Sequence, residues 1–165
     1  MKLRNKIIFS RKKLKQAVSR LKKTGKKIVF TNGCYDILHT GHTKLLKKAK
    51  ALGDILIVAI NSDSSVRCIK GKNRPIVPQE ERAEVLAALS SVDIVTVFCE
   101  PDPYNIIKDI VPDVLVKGGD WKKGTIIGAD VVTGAGGKVK NIKYIKGRST
   151  TNIIKKVLEN YGNKR

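Results

Sequence analysis

The sequence predicts an α/β fold: a doubly wound parallel sheet of about five strands with helices on both faces. Three observations predict it. Strand-like apolar runs alternate with helical periodicity along most of the chain. One run, residues 55–60 (ILIVAI), is apolar without a break, as a central parallel strand covered on both faces must be. No hairpin signal joins consecutive strands, so the connections are crossovers, which are right-handed in parallel sheets.

Each element follows in order. Residues 10–23 place Leu14, Ala17, Val18 and Leu21 at helical spacing between lysines and arginines, with Ser10 as the cap and Thr24 and Gly25 as the stop. Residues 27–31 (KIVFT) have the composition of a buried strand, 39–52 read as a helix and 54–61 as the strongest strand. Residues 78–90 carry acidic side chains in the first turn and Val85, Leu86 and Leu89 on one face, which suits a helix. A strand at 94–98, a short helix at 103–111, a strand at 114–117 ending in glycines, a strand at 139–145 and a closing helix at 150–161 complete the pattern.

Composition narrows the function classes. The 165 residues suffice for one domain with a single sizeable core, and 41% hydrophobic with 29% charged residues is a globular mix. Thirty-four Lys and Arg against 14 Asp and Glu give a net charge of +20, a field that attracts phosphates. Residues 1–35 contain no acid at all, which sets a basic N-terminal helix (1–25) apart from the rest (26–165). The longest apolar run is far too short to cross a bilayer, which takes roughly 20 residues, so a soluble cytoplasmic protein is expected and a membrane partner is not. Three widely spaced cysteines fit reduced thiols better than a disulfide framework.

In open α/β sheets ligands bind beyond the carboxyl ends of the strands, and four loops there carry unusual chemistry. The first, TNGCYDILHTGH (31–42), sets His39 and His42 three residues apart at a helix start, where backbone amides and the dipole favour an anion. Gly41 removes a side chain between them, Gly33 permits a sharp exit from the strand, and Lys44 adds positive charge one turn on. The two histidines could equally cap a helix or lie on its surface. A zinc site of Cys34, His39 and His42 lacks the spacing of known zinc motifs. The second loop, Gly147 to Thr151, puts Ser149, Thr150 and Thr151 at a helix start, as a phosphate cradle or an ordinary cap. The third, after the strongest strand, contains Asn61 and Asp63; Asp63 could hold acceptor hydroxyls, a phosphate-bound Mg²⁺ or only a cap. Lys70, Lys72 and Arg74 follow as a basic loop, either a solvated face or a phosphate contact. The fourth, Lys117-Gly118-Gly119-Asp120-Trp121, allows a base or ribose to approach the backbone, or is simply a tight turn. Neither the 134–137 glycines nor those of 119–125 complete a dinucleotide or Walker A pattern.

The block TNGCYDILHTGH resembles the signature of the nucleotidyltransferase superfamily with the His-x-Gly-His motif, which has a Rossmann-like fold. Within it the chain is similar to the heptose 1-phosphate adenylyltransferases of the ADP-heptose synthase group, and the likeness continues through GDILIVAINSDSSVR, KGKNRPI, ERAEVLAALSSVD, PDVLVKGGDW and GRSTTNIIKK. The resemblance implies a nucleotidyltransferase domain over 26–165 that joins ATP, accompanied by Mg²⁺, to a sugar 1-phosphate and releases pyrophosphate. It implies catalytic roles for His39, His42, Lys44 and Arg82. It also implies nucleotide-binding roles for Thr31, Asn32, Gly33, Tyr35, Asp36, Gly41, Asn61, Asp63, Lys117, Gly118, Gly119, Asp120, Ser149, Thr150 and Thr151, and no protein metal ligand. Asn152 stands where some relatives place a basic residue, which Arg148 or Lys155 could replace. A separate sugar kinase upstream and a homodimer are expected. The alternatives are a cytidylyltransferase of glycerol 3-phosphate or another small phosphate, and a basic nucleic-acid-binding protein. The second is disfavoured as a specific role by the scarcity of aromatics, 5% of residues.

Overall fold

A computed structural model describes residues 6–119, 125–143 and 147–162. The elements run α1 (Arg11–Lys23), β1 (Ile28–Gly33), α2 (Thr40–Lys50), β2 (Ile55–Asn61), α3 (Asp63–Lys70), α4 (Gln79–Ala88), β3 (Ile94–Phe98), α5 (Tyr104–Ile110), β4 (Val114–Gly118), α6 (Ala129–Gly134), β5 (Lys138–Ile142) and α7 (Thr150–Tyr161). The five strands form one sheet of order β3-β2-β1-β4-β5, and every pairing is parallel. The direction of winding reverses between β1 and β4, which opens a crevice at the carboxyl ends of those two strands.

Side-chain alternation along each strand feeds two separate cores. Val29, Leu56, Val58, Ile60, Val95, Val114 and Val116 point to one face, where Leu45, Leu46 and Ala49 of α2 and Ala83, Leu86 and Ala87 of α4 cover them. Ile28, Phe30, Ile57, Ala59, Ile94, Phe98 and Leu115 point to the other, beneath Leu14 and Val18 of α1, Ile106, Ile107 and Ile110 of α5 and Val132 of α6. The basic first helix is therefore docked on its own sheet. Its lysines and arginines tie it down at the rim: Arg11 pairs with Glu100 and with Asp109 (3.3 Å), Lys15 with Asp109 (2.8 Å), and Lys22 donates to the Val111 carbonyl. Just before it, Ile7 bridges Val95 in parallel and Ile8 N–H donates to the Val95 carbonyl at 2.9 Å, so residues 6–8 lie along the outer side of β3.

Two helices are additions to the sequence reading. α3 begins directly after β2, capped by Ser62, whose hydroxyl accepts from Ser65 N–H. α6 occupies the stretch around GADVVTG, too short and too glycine-rich to show a period. On α4 the expected buried face is displaced: Val85 is 49% exposed, and the inward positions are Arg82, Ala83, Leu86 and Ala87. The last two residues of the predicted 139–145 strand, with Asp120 and Trp121, lie outside the described residues.

Candidate active site

A cleft of about 630 Å³ opens at the carboxyl ends of β1, β2 and β4, and the starts of α2 and α7 close it from the side. The loop leaving β1 shapes its floor. Tyr35 takes a left-handed backbone conformation (φ 49°) and turns its ring back beside Gly33, where an added Cβ would lie 3.1 Å from the Tyr35 ring. That ring sits 5.0 Å from His42, and His42 stacks on His39 with centroids 3.8 Å apart and planes 25° from parallel.

Both imidazoles are held neutral. Burial, with the neighbouring His39 adding to it, lowers the His42 pKa to about 4. Burial and the charge of Arg148 lower that of His39. His39 caps α2 by accepting from Gly41 N–H on Nδ1 (3.1 Å), which assigns its proton to Nε2 and leaves that N–H as a donor. His42 Nδ1 is buried and has no partner among the described residues. Gly41 is small for a reason other than ligand access: a Cβ there would come within 2.8 Å of His39 Cε1 and push the capping ring away.

At the β4 end, Lys117 donates to Asn32 Oδ1 at 2.5 Å, and burial lowers its pKa to about 8. Gly118 follows it along the cleft wall. On the α7 side, Ser149 caps the helix by accepting from Asn152 N–H (3.1 Å) and Thr150 Oγ1 donates to the Ile37 carbonyl (3.2 Å), which joins the two helix starts. The first-turn amides of Thr150 and Thr151 have no acceptor within the helix and are open to an anion. Arg148, Thr151 and Asn152 line the same wall. At the opposite end, Asn61 donates to Ser65 Oγ (3.0 Å), and Cys34, whose thiol pKa is raised mainly by burial, faces it. Lys70, Arg74 and Ile69 complete that end.

His39, His42, Asn32, Gly33, Tyr35, Asp36, Gly41, Asn61, Lys117, Gly118, Ser149, Thr150 and Thr151 thus share one cleft. Other expected residues do not line it. Arg82 is 2% exposed and spends its guanidinium on two loop carbonyls and the start of α3: Nε to the Val77 carbonyl (2.9 Å), Nη1 to the Cys34 carbonyl (2.5 Å) and Nη2 to Asp63 Oδ1 (2.6 Å). It acts as a bracket beneath the site, and Asp63, paired to it through Oδ1, does not line the cleft. Lys44 lies on the exposed side of α2. Thr31 is buried within the sheet, and Gly119 donates its N–H to the Ile142 carbonyl (2.9 Å), tying β4 to β5. Asp36 borders the cleft with both oxygens occupied: Oδ1 accepts from Ile76 and Val77 N–H, Oδ2 from Arg74. Burial alone would raise its pKa, but those amides and the guanidinium outweigh it and hold the carboxyl below its usual value. Arg148 and Arg74 line the cleft as well, although lysine- and arginine-rich loops give no sign in sequence of which cation turns inward.

Two helix starts and a stacked histidine pair at the switch point of a 3-2-1-4-5 sheet are the arrangement into which the sequence matches fall. Residues 30–156 match the cytidylyltransferase-like family. The chain belongs to that family. It is a nucleotidyltransferase. It is similar to the bifunctional protein HldE of Geobacter sulfurreducens, 52% identical over 141 residues that cover 86% of this chain and 29% of that protein. It is similar also to the bifunctional protein HldE of Wolinella succinogenes, 51% identical over 150 residues, 91% of this chain and 31% of that one. The chain spans about three-tenths of the length of these curated relatives. Among solved structures, a lipopolysaccharide core biosynthesis protein from Thermoplasma volcanium matches with a TM-score of 0.61 and 31% identity, covering 75% of this chain and all of that one.

Among the described residues no group of three or more His, Cys, Asp or Glu side chains converges, and Asp36 and Asp63 are already paired to arginines. No helix among the described residues is long and apolar enough to cross a membrane.

Proposed function

We propose that this nucleotidyltransferase joins MgATP to D-glycero-β-D-manno-heptose 1-phosphate, giving ADP-heptose and pyrophosphate. The observation that carries the reading is the meeting of the α2 and α7 starts at a stacked, neutral histidine pair in one cationic cleft. An oxygen of the acceptor phosphate attacks the α-phosphorus, a new P–O–P linkage forms and pyrophosphate leaves. Such a reaction asks the protein for positioning and charge stabilisation. Neutral imidazoles can serve it because each still carries one N–H to donate to a phosphoryl oxygen without having to be protonated. Arg148 and the Thr150 and Thr151 amides would hold the departing phosphates, and Lys117 with Gly118 would face the nucleoside side.

The choice of sugar is supported by the run of motifs shared with the heptose group and by the Thermoplasma protein, whose name places it in lipopolysaccharide core biosynthesis. An upstream kinase supplies the sugar 1-phosphate, and the product feeds heptose-containing surface glycans. The test is pyrophosphate release with Mg²⁺ and the β-heptose 1-phosphate, comparing ATP with CTP. Release with ATP and little with CTP is the expected result. Release with CTP instead, or with glycerol 3-phosphate in place of the sugar, would move the assignment to the cytidylyltransferases.

A further inference from the structure

The cleft is cationic at both ends, and the two ends are built differently. Toward β4 and α7 stand Lys117 and Arg148; beyond Cys34 and Asn61 stand Lys70, at the end of α3, and Arg74 in the loop that follows. Arg74 is held in an unusual way. An arginine beside a carboxylate tends to pair through two parallel N–H···O bonds. Here Asp36, whose side chain has no exposed surface, gives one oxygen to the Ile76 and Val77 amides (2.8 and 2.9 Å) and offers only Oδ2 to Arg74, which binds it through Nε at 2.5 Å. Nη1 and Nη2 have no acceptor among the described residues, and the side chain retains 17% exposure on a cleft wall. The result is a guanidinium fixed at its base with its two-pronged end free.

A nucleotidyl transfer brings two phosphate-bearing molecules together, and their charges repel. Separate anchors are needed, one for the triphosphate and one for the acceptor. The helix starts of α2 and α7 supply amides and Arg148 for the first. We propose that Arg74, oriented by Asp36 and seconded by Lys70, is the arm that takes the phosphate of the small phosphorylated acceptor. This rests on the reading of the cleft as a site for two anionic substrates, whichever acceptor is the natural one. Arg74 contacts substrate; Asp36 is a positioning residue acting through it.

Isothermal calorimetry on the intact chain tests the assignment, titrating MgATP and, separately, β-heptose 1-phosphate, glucose 1-phosphate and glycerol 3-phosphate. Arg74→Gln weakens binding of the acceptor that the unmodified protein takes by about 10- to 100-fold, the range expected for a charge-assisted pair of hydrogen bonds, and leaves MgATP within about threefold. Arg74→Lys keeps the charge without the fork and falls between. Asp36→Asn weakens the acceptor by less than Arg74→Gln, and in steady-state kinetics it raises the acceptor KM more than the MgATP KM. Thermal melts of each variant identify any that fail to fold, and Arg74→Lys then carries the comparison. Equal losses for both ligands, or a loss confined to MgATP, overturn the assignment. So does an unmodified protein that binds none of the three acceptors. Binding of glycerol 3-phosphate in preference to the heptose, with the loss still following Arg74, overturns the heptose reading and leaves the arm in place.

Discussion

At neutral pH the His42 ring is uncharged, and in the proposed reaction it would offer an N–H held in place by stacking on His39 and by a tilted contact with the Tyr35 ring. Loss of one well-placed donor to a transition-state oxyanion costs on the order of 10² to 10³ in rate. Turnover of His42→Ala should fall by that factor with little change in fold, measured as kcat for pyrophosphate release alongside a thermal melt. The same ring makes stability depend on pH. Unfolded, His42 binds a proton near its ordinary 6.5, whereas in the folded protein it does so only near 4. Between those values the unfolded chain holds more protons, so the ring's contribution is complete above about 6.5 and is lost as the pH falls toward 4. His42→Asn should therefore show a shallower fall in Tm across that window than the unmodified protein; parallel curves would mean that the ring titrates normally in the fold.

The elements show why some of the site could be read in advance and some could not. α2 announced itself through His39, Gly41 and His42, because a helix start leaves a local spacing, and α7 did so through Ser149, Thr150 and Thr151. The β2 strand was legible because it is buried on both faces and so is apolar throughout. The burial of Arg82 was not legible because it sits in a helix whose inward face otherwise consists of alanines and Leu86, and sequence periodicity assigns an arginine to solvent or ligand before it assigns one to the interior. Its bracing contacts depend on the Cys34 and Val77 carbonyls, in two different loops, and on Asp63 at the start of α3, and no spacing within α4 announces them. Removing Arg82 leaves two part-buried carbonyls without their donor and the partly exposed Asp63 without its partner, at about 1 to 3 kcal/mol. Arg82→Ala should lose that much in denaturant unfolding. A change under about 1 kcal/mol would show that the loops hold themselves.

Taken whole, the molecule carries seven of its 34 Lys and Arg on α1 yet uses that helix as part of its body. Leu14 has no exposed surface and Val18 is 3% exposed, both against the face built by Phe30, Ile57 and Ile107. Leu14→Ala should cost about 2 to 5 kcal/mol in equilibrium unfolding, as other large-to-small changes in packed cores do. Removal of the whole helix to ask what its lysines bind would also strip one face of the sheet, so charge-reversing changes at Lys12 or Lys13, both exposed, are the cleaner probe. The strip at residues 6–8 has a further consequence. An open sheet has two outer strands whose unpaired amides can recruit another chain and seed fibrils. Along β3 that invitation is partly withdrawn by Lys6 and Ile8, whose carbonyl and N–H take up the hydrogen bonds of Val95, while β5 alternates Lys138 and Lys140 along the opposite border. One border is shielded by its own chain and the other by like charge, so crowded copies of the protein are kept from stacking edge to edge.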